Sequence, residues 1–200
     1  MSTLLVTAHP DSDSLTHHAA RALMDALGEG DVATAHLAQE GFDPRFSLGD
    51  RDAYAEQRVL DPAIRAEQDR VDAVDHLVLV FPVYWWSMPA LLKGWIDRVF
   101  VGPWAFEVGD DERIVPKLGH LTVHLLPVSG TSRASFARHG YAQSFSTQIE
   151  DGIVDYCGAK RGVTAFIHES ESGDPAEVSR ELAAAVAAIA DAITGPPASA

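Results

Sequence analysis

Short apolar runs alternate with amphipathic segments along most of this chain, and this alternation is the feature that most constrains its fold. The apolar runs are rich in aliphatic and β-branched residues, as buried strands are, and they lie at residues 4–8, 32–37, 76–82, 121–126 and 162–168. The segments with apolar residues at helical spacing lie at residues 14–27, 62–74, 89–99 and 177–193. Strands that alternate with helices in this way predict an α/β fold with a mostly parallel sheet.

Three stretches interrupt the alternation. Residues 38–60 are polar, with scattered Gly, Pro and Phe and no sustained period, so we expect a long irregular connection there. Residues 102–120 are rich in turn formers and are compatible with a small hairpin. Residues 132–156 are mixed, with a helix expected near their end. We treat residues 1–194 as one domain and residues 195–200, "GPPASA", as a flexible tail.

Composition narrows the class of protein. The 200 residues are 46% hydrophobic, which is enough for one sizeable core. The longest apolar runs fall far short of the roughly 18 to 20 residues that cross a bilayer, so no stable membrane insertion is expected. The net charge of -14 argues against nucleic acid as a partner, because phosphate binding needs clustered Lys and Arg. The N-terminus has no basic leader region and Cys157 is the single cysteine, so we expect a cytoplasmic protein without an internal disulfide.

Five strands with intervening helices in this length match the flavodoxin-like arrangement, a three-layer α/β fold whose parallel sheet has the strand order 2-1-3-4-5. Its ligand crevice lies where the strand order reverses, between the first and third strands. The loops that follow those two strands would line the crevice. In this chain the two loops read "AHPDSDSLT", from Ala8, and "PVYWWSMP", from Pro82.

The first loop combines His9 with the hydroxyl side chains of Ser12, Ser14 and Thr16, directly before a helix. Backbone N–H groups at a helix N-terminus, with hydroxyls beside them, form an anion site suited to a phosphate or pyrophosphate. Alternatively, Ser14 or Asp13 serves only as the helix cap. The two roles are compatible, because one cap can serve both.

The third loop offers flat apolar surface in Tyr84, Trp85 and Trp86. An isoalloxazine ring needs a planar, largely dry wall and backbone donors for its polar edge, and such a loop supplies both. As an alternative, Trp86 points into the core, so Trp85 is the tryptophan that we assign to the site. No metal site is expected, because the nearby histidine pairs 17–18 and 120–124 lack a carboxylate or cysteine at a metal-ligand spacing.

The stretch "FPVYWWSMPALLKGWIDRVF", with "LLVTAHPDSDSLTHHAA" and "VDYCGAK", resembles the NAD(P)H:quinone oxidoreductase family of flavodoxin-like flavoproteins. The resemblance implies a two-electron reductase that holds FAD, or alternatively FMN. It implies NAD(P)H as the co-substrate and a quinone-type molecule as the acceptor of the hydride. Both substrates would use one pocket in turn, in a ping-pong reaction.

The resemblance also implies roles for individual positions. The residues expected at the flavin phosphate and ribityl chain are His9, Ser14, Leu15 and Thr16. Those expected at the isoalloxazine are Pro82, Val83, Tyr84, Trp85 and Trp86, the two tryptophans also walling the substrate pocket. The family forms homodimers with the pocket at the subunit interface, and Trp104 and Phe106 stand where aromatic residues reach across to it.

One loop departs from the family pattern. After the fourth strand the family reads T-T-G-G, whereas this chain reads "LLPVSGTSRASFARHG", with Ser129 and Gly130 as the expected flavin neighbours. His139 matches a catalytic histidine that helps to stabilise charge on the reduced ring. Phe136 stands where a tyrosine is common, so the resemblance implies that a hydroxyl is missing from this relay.

Two other functions remain open at this point. A flavodoxin-type electron carrier would bind flavin without a substrate pocket, and the aromatic loop favours the enzyme over it. Some relatives of the family are regulatory oxidoreductase subunits of a potassium-efflux transporter, a role that nothing in this sequence requires.

Overall fold

The structure is a computed structural model that describes residues 1–28, 30–56 and 61–195. These residues form seven strands. They are β1 (Ser2–Thr7), β2 (Asp31–His36), β3 (His76–Pro82), β4 (Phe106–Val108), β5 (Ile114–Pro116), β6 (Thr122–Val128) and β7 (Lys160–Thr164). Five of them form a parallel sheet in the order β2-β1-β3-β6-β7, and β4 and β5 form a separate antiparallel hairpin. Counted within the main sheet, this is the predicted order 2-1-3-4-5, and the flavodoxin-like architecture is confirmed.

The helices cover both faces of the sheet. They are α1 (Leu15–Leu27), α2 (Leu48–Glu56), α3 (Pro62–Asp72), α4 (Ala90–Val99), α5 (Arg133–His139), α6 (Tyr141–Ser146), a π-helix (Thr147–Asp155) and α7 (Pro175–Thr194). Alternate side chains of a strand point to opposite faces. Leu4 of β1 therefore packs in the core with α3, α4 and α6, whereas Leu5 packs in a second core with α1 and α7.

The central strand β3 shows why the sheet has this order. All seven of its residues, "HLVLVFP", are buried, as expected for a parallel strand with helices on both faces and neighbours on both sides. The edge strands β2 and β7 instead expose charged and polar residues. The apolar content of each run thus tracks its distance from the edge of the sheet.

Two sequence predictions on secondary structure are wrong in detail. The connection at residues 38–60 is not wholly irregular, because it contains α2; residues 57–60 lie outside the described part. The last strand runs over Lys160–Thr164 rather than 162–168, and beyond it only Ile167 makes a further bridge, to Val128. Of the predicted tail, Gly195 alone falls within the described residues.

A buried ion pair fixes the long connection onto α4. The guanidinium of Arg98 donates to both carboxylate oxygens of Asp50 (3.1 Å each) and to the carbonyl of Asp43 (2.7 Å). Burial raises the pKa of Asp50, but hydrogen bonds from Ser47 and Arg98 outweigh it and hold that pKa below its usual value. Removing one partner of such a pair leaves the other charge buried without a counter-charge, which typically lowers the free energy of unfolding by about 3–5 kcal/mol. The ion pair therefore holds α2 and the Asp43 backbone against α4.

A histidine pair lies inside the sheet where β6 and β7 shift register. The Val163 N–H donates to His124 Nδ1 (3.0 Å), so the other ring nitrogen, Nε2, carries the proton and donates to His76 Nδ1 (3.0 Å). A Cβ at Gly162 would lie only 2.4 Å from His124 Nδ1, so a residue without a side chain is needed there. Burial lowers the pKa of His124 to about 4, which keeps the ring neutral.

Candidate functional site

One cavity of about 240 Å³ opens at the carboxyl ends of β1, β3 and β6, where the strand order reverses. Its walls include eight of the predicted cofactor residues, which come from three separate loops: His9, Ser14, Leu15, Thr16, Pro82, Val83, Tyr84 and Gly130. Val128, Ser170 and Glu171 complete the lining. The sheet topology thus brings residues more than a hundred positions apart into one crevice.

The loop after β1 is held rigid by its own hydrogen bonds. Ser14 caps α1 by accepting from the His17 N–H (3.4 Å), and the first intrahelical bond runs from His18 N–H to the Ser14 carbonyl (2.9 Å). The His17 ring donates from Nε2 to the His9 carbonyl (3.2 Å), and burial lowers the pKa of His17. The cap uses the His17 N–H, and Leu15 and Thr16, the first two residues of α1, line the cavity. Their N–H groups can serve a ligand, so Ser14 can act both as a cap and as part of an anion site.

The loop after β3 closes in a two-residue hairpin turn. Tyr84 and Ser87 exchange both backbone hydrogen bonds (3.1 Å each), and the two residues between them have positive φ, 49° at Trp85 and 65° at Trp86. Positive φ at both central positions is the type I′ arrangement, which favours Asn and Gly. A side chain in the left-handed region costs roughly 1–2 kcal/mol per residue. The chain therefore keeps two bulky aromatics where local energetics favour small residues.

The two tryptophans of the turn point in different directions. Trp85 is 90% exposed. Trp86 stacks on Tyr141 with ring centroids 3.8 Å apart and meets Phe136 edge-on at 5.9 Å. Trp86 is thus half-buried against the helices that follow β6, rather than in the core under the sheet. Trp85 is the ring left facing outward.

The loop after β6 places its two predicted residues differently. Ser129 is buried and structural: its N–H donates to the Ile167 carbonyl (2.8 Å), and its hydroxyl accepts from the Thr131 N–H (3.1 Å). Gly130 is exposed and lines the cavity. Of the two, only Gly130 reaches the crevice surface.

His139 lies near the aromatic turn but outside the cavity lining. It is exposed at the end of α5, and its ring centroid is 5.3 Å from that of Tyr141. Tyr141 in turn stacks on Trp86, so these three rings form a continuous series. Tyr141 also meets Phe136 edge-on, with ring centroids 5.9 Å apart, so a tyrosine lies next to the position where the resemblance implies a missing hydroxyl.

Trp104 and Phe106 lie away from the crevice and do not line its cavity. The Trp104 indole N–H donates to Asp72, at the end of α3 (2.9 Å). Phe106 meets Tyr156 edge-on at 5.1 Å and lines a second cavity, of about 310 Å³, between α4 and the π-helix. A single chain does not bring these two residues to its own crevice. Their predicted contact with a partner's pocket stays a prediction.

Sequence reasoning missed Ser170, Glu171 and Tyr141. The first two follow β7, whereas the expected cofactor residues came only from the loops after the first, third and fourth strands. A usable signal was present, since the carboxyl end of every parallel strand meets the same edge of the sheet. Tyr141 lies in the mixed stretch before the π-helix, where periodicity is uninformative.

Within residues 1–28, 30–56 and 61–195, no group of three or more His, Cys, Asp and Glu side chains is arranged to hold a metal ion. His17 lies against His36 instead of His18, and His124 against His76 instead of His120. None of the helices in this described part has the length and apolarity needed to cross a membrane.

Comparisons with known proteins identify relatives. A family described as flavodoxin-like fold matches residues 1–193. The chain is 29% identical over 176 residues to NAD(P)H dehydrogenase [quinone] 1 of Rattus norvegicus, covering 78% of this chain but only 64% of the rat protein. It is 30% identical over 166 residues to the uncharacterized NAD(P)H oxidoreductase YcaK of Escherichia coli K12, covering 82% of this chain and 81% of that protein.

Among solved structures, the chain superimposes on the NAD(P)H:quinone oxidoreductase from Methanothermobacter marburgensis with a TM-score of 0.86. The superposition covers 96% of each chain at 21% identity, which shows a shared fold.

Proposed function

Because the chain belongs to the NAD(P)H:quinone oxidoreductase family of flavodoxin-like proteins, we propose that it is a flavin-dependent enzyme that passes a hydride from NAD(P)H to a quinone-type acceptor. One observation carries the proposal: residues of three loops converge on one cavity, beside a strained aromatic turn. That combination of an anion site and a flat apolar wall suits a phosphate-bearing planar cofactor.

The residues that line the crevice fit a flavin part by part. Ser14, Thr16 and the first-turn N–H groups of α1 would hold its phosphate. Pro82, Val83 and Tyr84 would pack along the ring, and Trp85, which lies beside the cavity, would add an apolar wall. Gly130 lines the cavity beside the Glu171 carboxylate, which fills the space that a side chain at residue 130 would take.

A bound flavin supplies the hydride chemistry, taking two electrons from NAD(P)H and giving them to the acceptor. The chain's own work is positioning and the exclusion of water. The strained turn directs Trp85 outward, and Trp86 is held by its stack on Tyr141. Rigid planar walls orient the substrates one after the other in the same pocket, which is the source of much enzymatic acceleration. We propose that His139, through Tyr141, helps to hold negative charge near the reduced ring.

We also propose that the enzyme is a homodimer. Around the β4–β5 hairpin the surface exposes large apolar side chains: Tyr54, Val108, Ile114, Val115 and Tyr156. Exposed apolar patches of this kind mark interaction surfaces. Phe106, at the base of the same hairpin, would be carried by the interface toward the partner's crevice, and Trp104 with it.

The test begins with the purified protein. Heat should release a yellow cofactor that chromatography identifies as FAD or FMN. The same preparation should oxidise NADH or NADPH steadily when a soluble benzoquinone is supplied. A yellow protein without turnover would instead support a flavodoxin-type electron carrier, and a protein that binds no flavin would contradict both functions.

A further inference from the structure

The loop after β1 has its carbonyl oxygens bound by side chains where it passes the crevice. The His9 carbonyl accepts from two of them, His17 Nε2 (3.2 Å) and Gln39 Nε2 (3.4 Å). Gln39 Nε2 also donates to the Pro10 carbonyl (3.3 Å). Neither donor belongs to the lining of the cavity of about 240 Å³, so both carbonyl groups are bound from outside the crevice.

The next two carbonyl groups of the loop are bound as well. The Asp11 carbonyl accepts from the Ser14 N–H (3.2 Å), and the Ser12 carbonyl accepts from Arg21 (3.0 Å). The N–H groups of residues 15 and 16, by contrast, lie at the start of α1 beside the cavity and have no intrahelical acceptor. The loop therefore presents donors to a ligand, while its carbonyl oxygens at residues 9–12 are bound elsewhere.

His17 is the buried member of this set of donors. It is 4% exposed, whereas Gln39 and Arg21 are exposed. A carbonyl oxygen can only accept, so Nε2 of His17 carries the proton. Burial lowers the pKa of His17, and nearby His36, His9 and Arg21 lower it further, which together outweigh the opposite effect of the bond to the His9 carbonyl. The ring is therefore neutral at neutral pH and acts on the loop through its N–H rather than through a charge.

The direction of the His9 carbonyl matters to an anion in the crevice. A carbonyl oxygen is the negative end of a peptide dipole, and the His9 side chain itself lines the cavity. Among the described residues of that lining none is Lys or Arg, so no fixed positive side chain offsets a carbonyl oxygen turned toward a phosphate. Without its donors, this oxygen would no longer be held away from the ligand.

On the basis of the proposed flavin function, we propose that His17 is a positioning residue of the anion site, assisted by Gln39. By donating to the His9 carbonyl, its imidazole directs this negative dipole end away from the ligand phosphate and fixes the backbone that leads to the first turn of α1. Loss of the bond should therefore weaken the binding of a phosphate-bearing flavin far more than that of the same flavin without phosphate.

The experiment measures the affinity of the cofactor-stripped protein for FMN, FAD and riboflavin, by titration followed through flavin fluorescence. Riboflavin shares the ring and the ribityl chain but has no phosphate, so the ratio of affinities reports on the anion site. His17→Asn should lower the affinity for FMN and FAD about tenfold, because its shorter amide does not reach the His9 carbonyl. His17→Gln extends its amide about as far as Nε2 and should stay within about threefold of the parent. The riboflavin affinity should change less than about threefold in both variants.

Two further variants make the result specific. His18→Asn replaces the adjacent, exposed imidazole, which is not a donor to the carbonyl groups of residues 9–12, and it should leave all three affinities unchanged. Gln39→Ala removes the second donor at an exposed position, where folding is not at risk. Because its hydrogen bonds are longer, this variant should lower the affinity for FMN and FAD only about threefold.

The outcomes separate this role from the flavin function. An unchanged ratio of FMN to riboflavin affinity in both His17→Asn and Gln39→Ala would overturn the positioning role and leave the flavin function standing. An equal loss of FMN and riboflavin binding in His17→Asn would assign His17 to the fold alone and would also overturn the proposal. A parent that binds none of the three flavins would overturn the flavin function and this proposal with it.

Discussion

The aromatic turn at residues 84–87 and the helix α4 lie a few residues apart and use tryptophan for opposite purposes. Trp95 of α4 is fully buried, and its indole N–H donates to Glu67 (2.9 Å). Trp85 is 90% exposed on left-handed backbone. In the helix the side chain stabilises the fold, whereas in the turn it occupies a position that local energetics assign to Asn or Gly. Trp95 and Trp85 are the same type of residue. Burial and backbone energy are what mark Trp95 as structural and Trp85 as a functional candidate.

The first prediction tests the structural half of this comparison and carries the largest effect. Trp95→Ala should lower the free energy of unfolding by about 3–5 kcal/mol, because it leaves a large cavity and removes one of the two side chains that donate to the buried Glu67. Chemical denaturation of the variant and the parent measures this. A loss below about 1 kcal/mol would contradict the role of Trp95 in the core.

The second prediction extends the comparison to buried and exposed histidines. Because the pKa of His124 is lowered to about 4 in the folded chain, the unfolded state binds more protons between that value and about 6.5. Stability should therefore fall as the pH drops through this window, by up to about 3 kcal/mol. His124→Gln should flatten this part of the stability curve, and His120→Gln, at an exposed position, should not. If the free energy of unfolding depends on pH in the same way in the parent and in His124→Gln, the lowered pKa of His124 is refuted.

The third prediction asks how tightly α4 is packed. A Cβ at Gly94 would lie 2.2 Å from the Pro44 carbonyl oxygen, so Gly94→Ala should lower the free energy of unfolding by about 1–3 kcal/mol. Gly49 in α2 is a matched control, since its Cβ would meet only Ser47 Oγ at 3.5 Å. Gly49→Ala should be neutral or raise stability by up to about 1 kcal/mol, through helix propensity. Equal free energies of unfolding for Gly94→Ala and Gly49→Ala would contradict the close contact of α4 with Pro44.

The fourth prediction concerns the turn and has the smallest effect on stability. Trp85→Ala should change the free energy of unfolding by less than about 1 kcal/mol, because little buried surface is lost. It should nevertheless sharply reduce flavin occupancy or quinone turnover. Trp85→Asn, which suits a type I′ turn, should equal or exceed the parent in stability by about 1 kcal/mol while showing the same functional loss. Full activity in both variants would show that the exposed ring is not a wall of the site.

The same contrast explains what the sequence could predict. Strand order follows from the alternation of strands and helices and agrees with the structure, and Trp95 is buried on the apolar face of the helix predicted at residues 89–99. The backbone of the turn does not follow, because turn chemistry argues against Trp at both central positions. The bounds of β7 were missed because the His124 side chain, rather than a carbonyl, accepts the Val163 N–H, and a side chain that enters the ladder leaves no periodic signal.

The two edges of the main sheet carry a consequence for behaviour at high concentration. β2 begins with Asp31, and β7 begins with Lys160 and Arg161, the latter donating to Asp155 of the π-helix (2.8 Å). Short, charged edge strands resist pairing with strands of another molecule. We therefore expect concentrated solutions of this protein to resist fibril formation through edge-to-edge pairing of the main sheet.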